Sequence, residues 1–289
     1  ERFTFFYFYE FLMTKRKELK QMNNFLISVK NKYKTGIMFE GGGSGHGGHK
    51  GNNWVTMPLK YSIMKELHTE REISLLQPIA AVELFAFVST YQKELINLLD
   101  MNSIFSLRHH HKNNELCYKN KNKSITKYFA VESAQIDKDL IEKTGMFFDI
   151  KPYKSIASFT SSEEWLVLNS KYRYFIRTDY KACFDSIYTH TFKWLIGKDV
   201  NDTKDFKNTN IYTTIDRILQ NINARTSNGI VVGPEFSRMI AEILLQAIDR
   251  TVYSKLLNSG KTVGENYNVY RFVDDIFIFA ESEELANEI

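Results

Sequence analysis

The chain has 289 residues, and its 38 lysines and arginines against 34 aspartates and glutamates give a net charge of +4 with histidine neutral. With 43% hydrophobic and 25% charged residues, the composition excludes collagen-like, coiled-coil and wholly disordered chains. Cys117 and Cys183 are too few for a disulfide scaffold and are typical of a reducing compartment. No run of 18 or more apolar residues exists, so we expect no spanning helix and no membrane partner, and the two cysteines favour the cytoplasm.

The N-terminal part of the chain has patterns of several kinds. Residues 1–35 mix aromatic and basic positions in a way that indicates a helix, and the glycine-rich residues 41–51 indicate a linker or loop. Residues 71–76 are β-prone, and a long apolar helix is predicted at about 79–99. Residues 106–127, with three consecutive histidines and several lysines, predict a solvated basic loop close to nucleic acid.

A sharper pattern begins at about residue 165. Apolar and charged side chains alternate over residues 172–179, which is the period of a strand. Asp185 is a candidate N-cap for a helix through about residue 196. Residues 211–223 predict another helix, and Gly233-Pro234 predicts the start of a third, since proline suits the first helical position.

Two β-prone runs, 267–272 and 276–280, predict a hairpin with an acidic tip. Asp274 and Asp275 lie at that tip, and adjacent carboxylates repel each other unless a partner such as a divalent cation compensates. If the hairpin lies beside the strand that ends at Asp179, three carboxylates converge and can hold two metal ions for nucleotidyl transfer. The alternative interpretation of the acidic pair is a plain polar turn.

Three segments resemble the palm motifs of reverse transcriptases. They are Arg177–Ile187 (RTDYKACFDSI), Asn228–Ile243 (NGIVVGPEFSRMIAEI) and Tyr270–Phe279 (YRFVDDIFIF). They occur in the family's order and at similar separations. The amino-acid sequences of Ser186–Lys198 and of the second motif resemble those of the bacterial defence-associated and abortive-infection branch of this family. Arg71–Pro78 resembles a fingers motif more loosely.

This resemblance implies a set of metal ligands. Asp179 and Asp274 would bind the metal, with the backbone carbonyl of Tyr180 as a further ligand, and Asp275 would be the accessory acid. The implied cofactor is Mg²⁺, with Mn²⁺ as a substitute. Catalysis would then be in-line nucleotidyl transfer with charge neutralisation by metal.

The resemblance also implies nucleotide-binding residues. Phe184 matches the aromatic position that leaves no room for a 2′-hydroxyl, so it would select deoxynucleotides. Gly233 and Ser237 match the segment that flanks the incoming nucleotide and template, where glycine allows close backbone approach. Arg71, and less directly Lys60, would hold the triphosphate from the fingers.

The chain departs from the family pattern at several points. Val232 stands where the family often has glutamine, and Phe272 stands where the third motif often has tyrosine. The fourth motif and the thumb are expected after Ile289 and are not part of this chain. The implied fold class is α+β: a right-hand polymerase palm, with an antiparallel sheet and helices, plus mainly helical fingers.

The subdomains expected from this resemblance follow one another along the chain. They are an N-terminal region with fingers at 1–164, a first palm part at 165–200, a helical insertion at 201–228 and a second palm part at 229–289.

The leading functional prediction is an RNA-directed DNA polymerase that uses dNTPs, an RNA template and a DNA product. The branch resemblance adds a role in antiphage defence, with a noncoding RNA template or protein priming, and self-assembly into a homo-oligomer. One alternative is an RNA-directed RNA polymerase, against which Phe184 argues. The other is a non-catalytic nucleic-acid-binding or assembly module with a polymerase-like palm.

Overall fold

The computed structural model describes residues 55–66, 69–100, 103–113, 148–195 and 210–289. The predictions for residues 1–35 and 41–51 lie outside these ranges, as do residues 114–127 of the predicted basic loop. Within the described ranges no helix is both long enough and apolar enough to cross a membrane.

The described residues form helices and small antiparallel sheets, so the coarse α+β prediction is confirmed. In chain order the elements are β1 (Leu59–Glu66), β2 (Thr69–Leu75), α1 (Pro78–Asp100), β3 (Arg108–Lys112), β4 (Phe148–Pro152), α2 (Ile156–Thr160), α3 (Glu163–Lys171), β5 (Tyr174–Asp179), α4 (Cys183–Ser186), α5 (Thr191–Trp194), α6 (Ile211–Asn221), α7 (Glu235–Asn258), β6 (Tyr267–Phe272), β7 (Asp275–Ala280) and α8 (Glu283–Glu288).

The chain divides into two compact units. Among the described residues, the first unit comprises 55–66, 69–95, 180–195 and 210–247, and the second comprises 96–100, 103–113, 148–179 and 248–289. The boundaries of the palm and fingers that the resemblance implies are not tested by this division, and they stay predictions.

In the first unit, β1 and β2 form an antiparallel hairpin, and the chain before α7 runs along β2. The Ser74 N–H donates to the Val232 carbonyl at 2.8 Å. The strand expected at 71–76 and the helix expected at 79–99 are both confirmed, whereas β1 was not predicted. Helix α7 begins directly after Pro234, as the sequence predicted.

A buried carboxylate joins α5 to α6 in the first unit. Asp216 accepts hydrogen bonds from Lys193 Nζ at 2.6 Å, from the ring of His190 at 2.9 Å and from Gln220 Nε2 at 2.7 Å. Burial would raise the pKa of Asp216, but hydrogen bonds from Lys193, Thr189 and His190 and the charge of Lys193 outweigh it, so this pKa lies below its ordinary value. The network therefore stabilises the ionised form of the carboxylate inside the fold.

The prediction that Asp185 caps a helix running to about residue 196 is wrong. Asp185 lies inside the short helix α4, whose N-cap position is Ala182. The chain leaves the helix after Ser186 because residues 187–189 hydrogen-bond to the chain at 227–229 instead. The backbone returns to a helix only at α5.

A three-stranded antiparallel sheet in the order β5-β7-β6 forms the centre of the second unit. One face of the sheet packs against residues of α7 and α8, including Leu256 and Leu285. The other face is aromatic and packs against α2 and α3, where Phe159 and Trp165 meet Phe277. Apolar side chains on both faces explain why β7 reads as a nearly continuous hydrophobic run.

The prediction of a solvated basic loop is wrong for residues 108–112. These residues form β3, which pairs antiparallel with β4 in the second unit. Arg108 and His110 are buried, because His110 packs edge-on to Phe148 and the Arg108 guanidinium lies over the Phe272 ring. Strand alternation turns only every second side chain towards solvent.

Candidate functional site

The acidic residues predicted as catalytic lie together at one end of the β5-β7-β6 sheet. Asp179, the last residue of β5, is directly opposite Asp275, the first residue of β7. Directly opposed residues in antiparallel strands have Cα atoms only about 4.5–5.5 Å apart. Asp274 precedes Asp275 in the two-residue turn between β6 and β7. The predicted hairpin with an acidic tip is therefore confirmed, while the catalytic roles of the three acids stay predictions.

Arg177 holds one of these carboxylates in place. Its Nη2 and Nε donate to Asp275 Oδ1 at 2.8 and 3.2 Å, and its guanidinium lies 5.6 Å from the centre of the Phe277 ring. Arg177, Asp179 and Asp275 share the aromatic face of the sheet, because alternate residues of a strand face the same way. Arg177 was not among the predicted site residues, although its position two residues before Asp179 on the same strand was a usable signal.

The turn that carries Asp274 has an unusual backbone. Val273 has φ 60° and is buried. A β-branched residue in the left-handed region is strained, and such strain typically costs about 1–3 kcal/mol and persists only where surrounding contacts enforce it. The acidic turn is therefore held in one conformation by its surroundings.

The donor set fits Mg²⁺ as an open site. Among the described residues no group of three or more histidine, cysteine, aspartate or glutamate side chains is arranged to hold a metal ion by itself. Mg²⁺ in nucleotide-processing enzymes is commonly bound by one or two carboxylates together with substrate phosphates and water. Asp179 and Asp274 would be two such carboxylates, whereas Asp275 is already paired with Arg177.

The predicted backbone ligand lies in the turn after β5. The Tyr180 carbonyl accepts a hydrogen bond from the Cys183 N–H at 3.1 Å, in the turn that leads into α4. Its role as a metal ligand stays a prediction.

The part of the first motif that follows Asp179 runs beside the start of the second motif in the first unit. Phe184 is partly buried in α4, and its carbonyl accepts a hydrogen bond from the Ile230 N–H at 2.8 Å. Gly229 lies against Asp185, where an added Cβ would be 3.3 Å from the Asp185 carbonyl oxygen. The two motifs therefore share one local structure around Phe184.

Gly233 closely approaches the β1-β2 hairpin. It has φ 122°, and a Cβ at this position would lie 2.7 Å from Ile73 Cγ2 and 3.0 Å from the Ser74 carbonyl oxygen. Only glycine fits such an approach and such a φ without strain. Ser237, four residues further on, is 0% exposed, so its side chain is packed within the unit.

The two basic residues expected to hold a triphosphate lie on opposite faces of the hairpin. Lys60 is ion-paired with Glu72 at 2.7 Å. Arg71 is opposite Ile63 in the register and shares a face with Ile73, the residue that Gly233 approaches. The structure thus places Arg71, and not Lys60, on the face of the hairpin that carries Ile73.

Compared with protein-family models and with curated protein sequences, the chain matches none of them.

Proposed function

We propose that this chain contains the palm and fingers of a cytoplasmic RNA-directed DNA polymerase that works with Mg²⁺. The observation that carries the proposal is the register that sets Asp179 opposite Asp275, with Asp274 in the adjoining turn. This arrangement coincides with the segments that resemble the first and third polymerase motifs. In this proposal the β5-β7-β6 sheet is the palm, and the β1-β2 hairpin belongs to the fingers.

The reaction joins a primer 3′-hydroxyl oxygen to the α-phosphorus of a dNTP, breaks the bond from that phosphorus to its bridging oxygen, and releases pyrophosphate and the hydroxyl proton to solvent. Asp179 and Asp274 would hold Mg²⁺, which would supply charge neutralisation for the attacking and leaving oxygens. Arg177 keeps the neighbouring Asp275 carboxylate oriented. Arg71 contributes a planar guanidinium suited to phosphate oxygens.

The biological setting is proposed from the branch resemblance alone. It comprises antiphage defence, a dedicated noncoding RNA template or a protein primer, and self-assembly into a homo-oligomer. Sequencing the nucleic acid that copurifies with the full-length protein identifies the template.

The proposal is tested by primer extension on an RNA template with labelled dNTPs and Mg²⁺. We expect incorporation that stops when the metal is chelated. Thermal unfolding measured with Mg²⁺ and dNTP should show a raised midpoint, since a ligand at 100 times its Kd adds about 2.7 kcal/mol to the free energy of unfolding. If both incorporation and ligand-linked stabilisation are absent, the result contradicts the proposal and favours the non-catalytic binding module.

Phe184→Ala tests the choice of sugar. Removing the ring leaves room for a 2′-hydroxyl, so we expect the ratio of kcat/KM for ribonucleotides to that for deoxynucleotides to rise on the order of 10-fold or more. Tyr188→Ala removes an exposed ring four residues away and should leave the ratio unchanged. A wild-type protein that already prefers ribonucleotides would support the RNA polymerase alternative instead.

A further inference from the structure

A buried ion pair lies directly behind the acidic turn in the second unit. Arg271 of β6 is 1% exposed and Asp249 of α7 is 4% exposed. Arg271 Nε lies 3.0 Å from both carboxylate oxygens of Asp249, and its Nη2 lies 2.6 Å from Oδ2. Such a planar, multiply bonded pair fixes the guanidinium in one orientation.

Arg271 reaches the turn through the backbone. Its Nη1 donates to the Val273 carbonyl at 3.0 Å. That carbonyl belongs to the peptide plane in which the Asp274 nitrogen lies, and the plane is rigid. A hydrogen bond to the carbonyl therefore restrains the rotation of the backbone that presents Asp274.

The Arg271 side chain lies on the opposite face of the sheet from the Asp179 and Asp275 side chains. Arg271 is opposite Ile276 in the register, so it shares the face that packs against α7, whereas Asp275 lies on the aromatic face. Arg271 thus contacts the turn from the face of the sheet opposite to Asp179 and Asp275.

The main chain of Arg271 is tethered as well. Its N–H donates to the Phe105 carbonyl at 2.7 Å, and its carbonyl accepts from the Leu107 N–H at 2.8 Å. The Arg271 side chain thus connects strand β6 and helix α7 to Val273, the turn residue that has a left-handed backbone. Lysine cannot reproduce this, because a single ammonium lacks the planar fork.

We infer that Arg271 and Asp249 are positioning residues that hold the strained Val273-Asp274 turn in its metal-binding conformation. The inference rests on the proposed function, because it assigns these residues to the same site. It predicts that loss of the pair affects the rate of the chemical step and the requirement for metal more than it affects nucleotide binding.

The test uses the double variant Arg271→Met with Asp249→Leu in the full-length protein. Replacing both partners by apolar residues avoids an unpaired buried charge, and such exchanges often keep the fold stable. We expect kcat for dNTP incorporation to fall about 10–100-fold, as for other residues that orient metal ligands. The dNTP KM should stay within about 3-fold, and half-maximal rate should need more Mg²⁺.

Tyr267→Phe is the matched control. Tyr267 is fully buried on the same face of β6, and among the described residues its hydroxyl has no hydrogen-bond partner. Its removal tests whether any change in this core lowers the rate, and we expect kcat and Mg²⁺ dependence to stay at the wild-type level.

A folded double variant with unchanged kcat and Mg²⁺ dependence overturns the inference and leaves the proposed function intact. If the wild-type protein incorporates no nucleotide, the proposed function fails. Amide hydrogen exchange at Asp274 then tests separately whether Arg271 and Asp249 hold the turn in place. Faster exchange in the double variant supports this role, and unchanged exchange overturns it. Should the double variant unfold, Asp249→Asn keeps the shape of the side chain, and the same readouts and outcomes apply.

Discussion

Replacing Asp274 with asparagine is expected to abolish nucleotide incorporation and leave the protein folded. Asparagine keeps the shape of the side chain but removes the charge, and hard cations such as Mg²⁺ prefer carboxylate oxygens. Metal charge neutralisation contributes several kcal/mol to the transition state, so the rate should fall about 10³-fold or more. Primer extension under single-turnover conditions measures this loss.

Asp149→Asn is the control for that experiment. Asp149 lies on β4 in the same unit and is ion-paired with Lys151 at 2.8 Å near the surface. Its change removes one carboxylate of the unit without affecting the acidic turn, so both the rate and the unfolding midpoint should be retained. Undiminished incorporation by the folded Asp274→Asn protein would remove the proposed mechanism.

Asp216→Ala is expected to destabilise the first unit strongly. The substitution leaves Lys193 and His190 without their carboxylate and opens a polar cavity beside α6. Breaking a buried pair costs about 3–5 kcal/mol, and because Lys193 and His190 are each about a third exposed, water offsets part of this. We expect a loss of about 2–4 kcal/mol in the free energy of unfolding, measured by denaturant titration.

The effect should depend on pH in a defined direction. The pKa of Asp216 is lower in the folded protein than its ordinary value, so its contribution is complete above the ordinary carboxyl pKa. It is lost as the pH falls through the lower folded pKa. The difference between wild type and variant should therefore be largest near neutral pH and shrink in strong acid.

Asp185→Ala provides the comparison for Asp216, since Asp185 is an exposed carboxylate in the same unit. The free energy of unfolding of the Asp185→Ala protein should equal that of the wild type. An Asp216→Ala protein as stable as the wild type at neutral pH contradicts the account of the buried network.

The parts of the fold that the sequence predicted are those encoded locally. The hairpin of β6 and β7 follows from two β-prone runs around a short acidic turn, and α7 follows from Pro234 and a long apolar period. Strand β3 could not be predicted in this way, because its histidines and basic residues look polar. Its burial depends on β4, a strand distant in the sequence.

In the candidate site, too, the locally encoded features could be predicted and those that depend on the tertiary fold could not. The positions of Asp179 and Asp275 at strand ends follow from alternation, and only the pairing of β5 with β7 had to be assumed. The bond from Arg271 to Asp249 could not be anticipated, because it joins a strand to a helix through the tertiary fold. The left-handed backbone of Val273 could not be predicted from the sequence either, because valine disfavours that conformation.

The most direct test of the metal site is a crystal structure of the full-length protein with Mn²⁺ and a dNTP, analysed by anomalous scattering. We expect an anomalous peak in direct coordination with the carboxylates of Asp179 and Asp274, next to the nucleotide phosphates. A bound nucleotide with no Mn²⁺ peak at these two side chains, or with the metal bound elsewhere in the protein, would contradict this expectation.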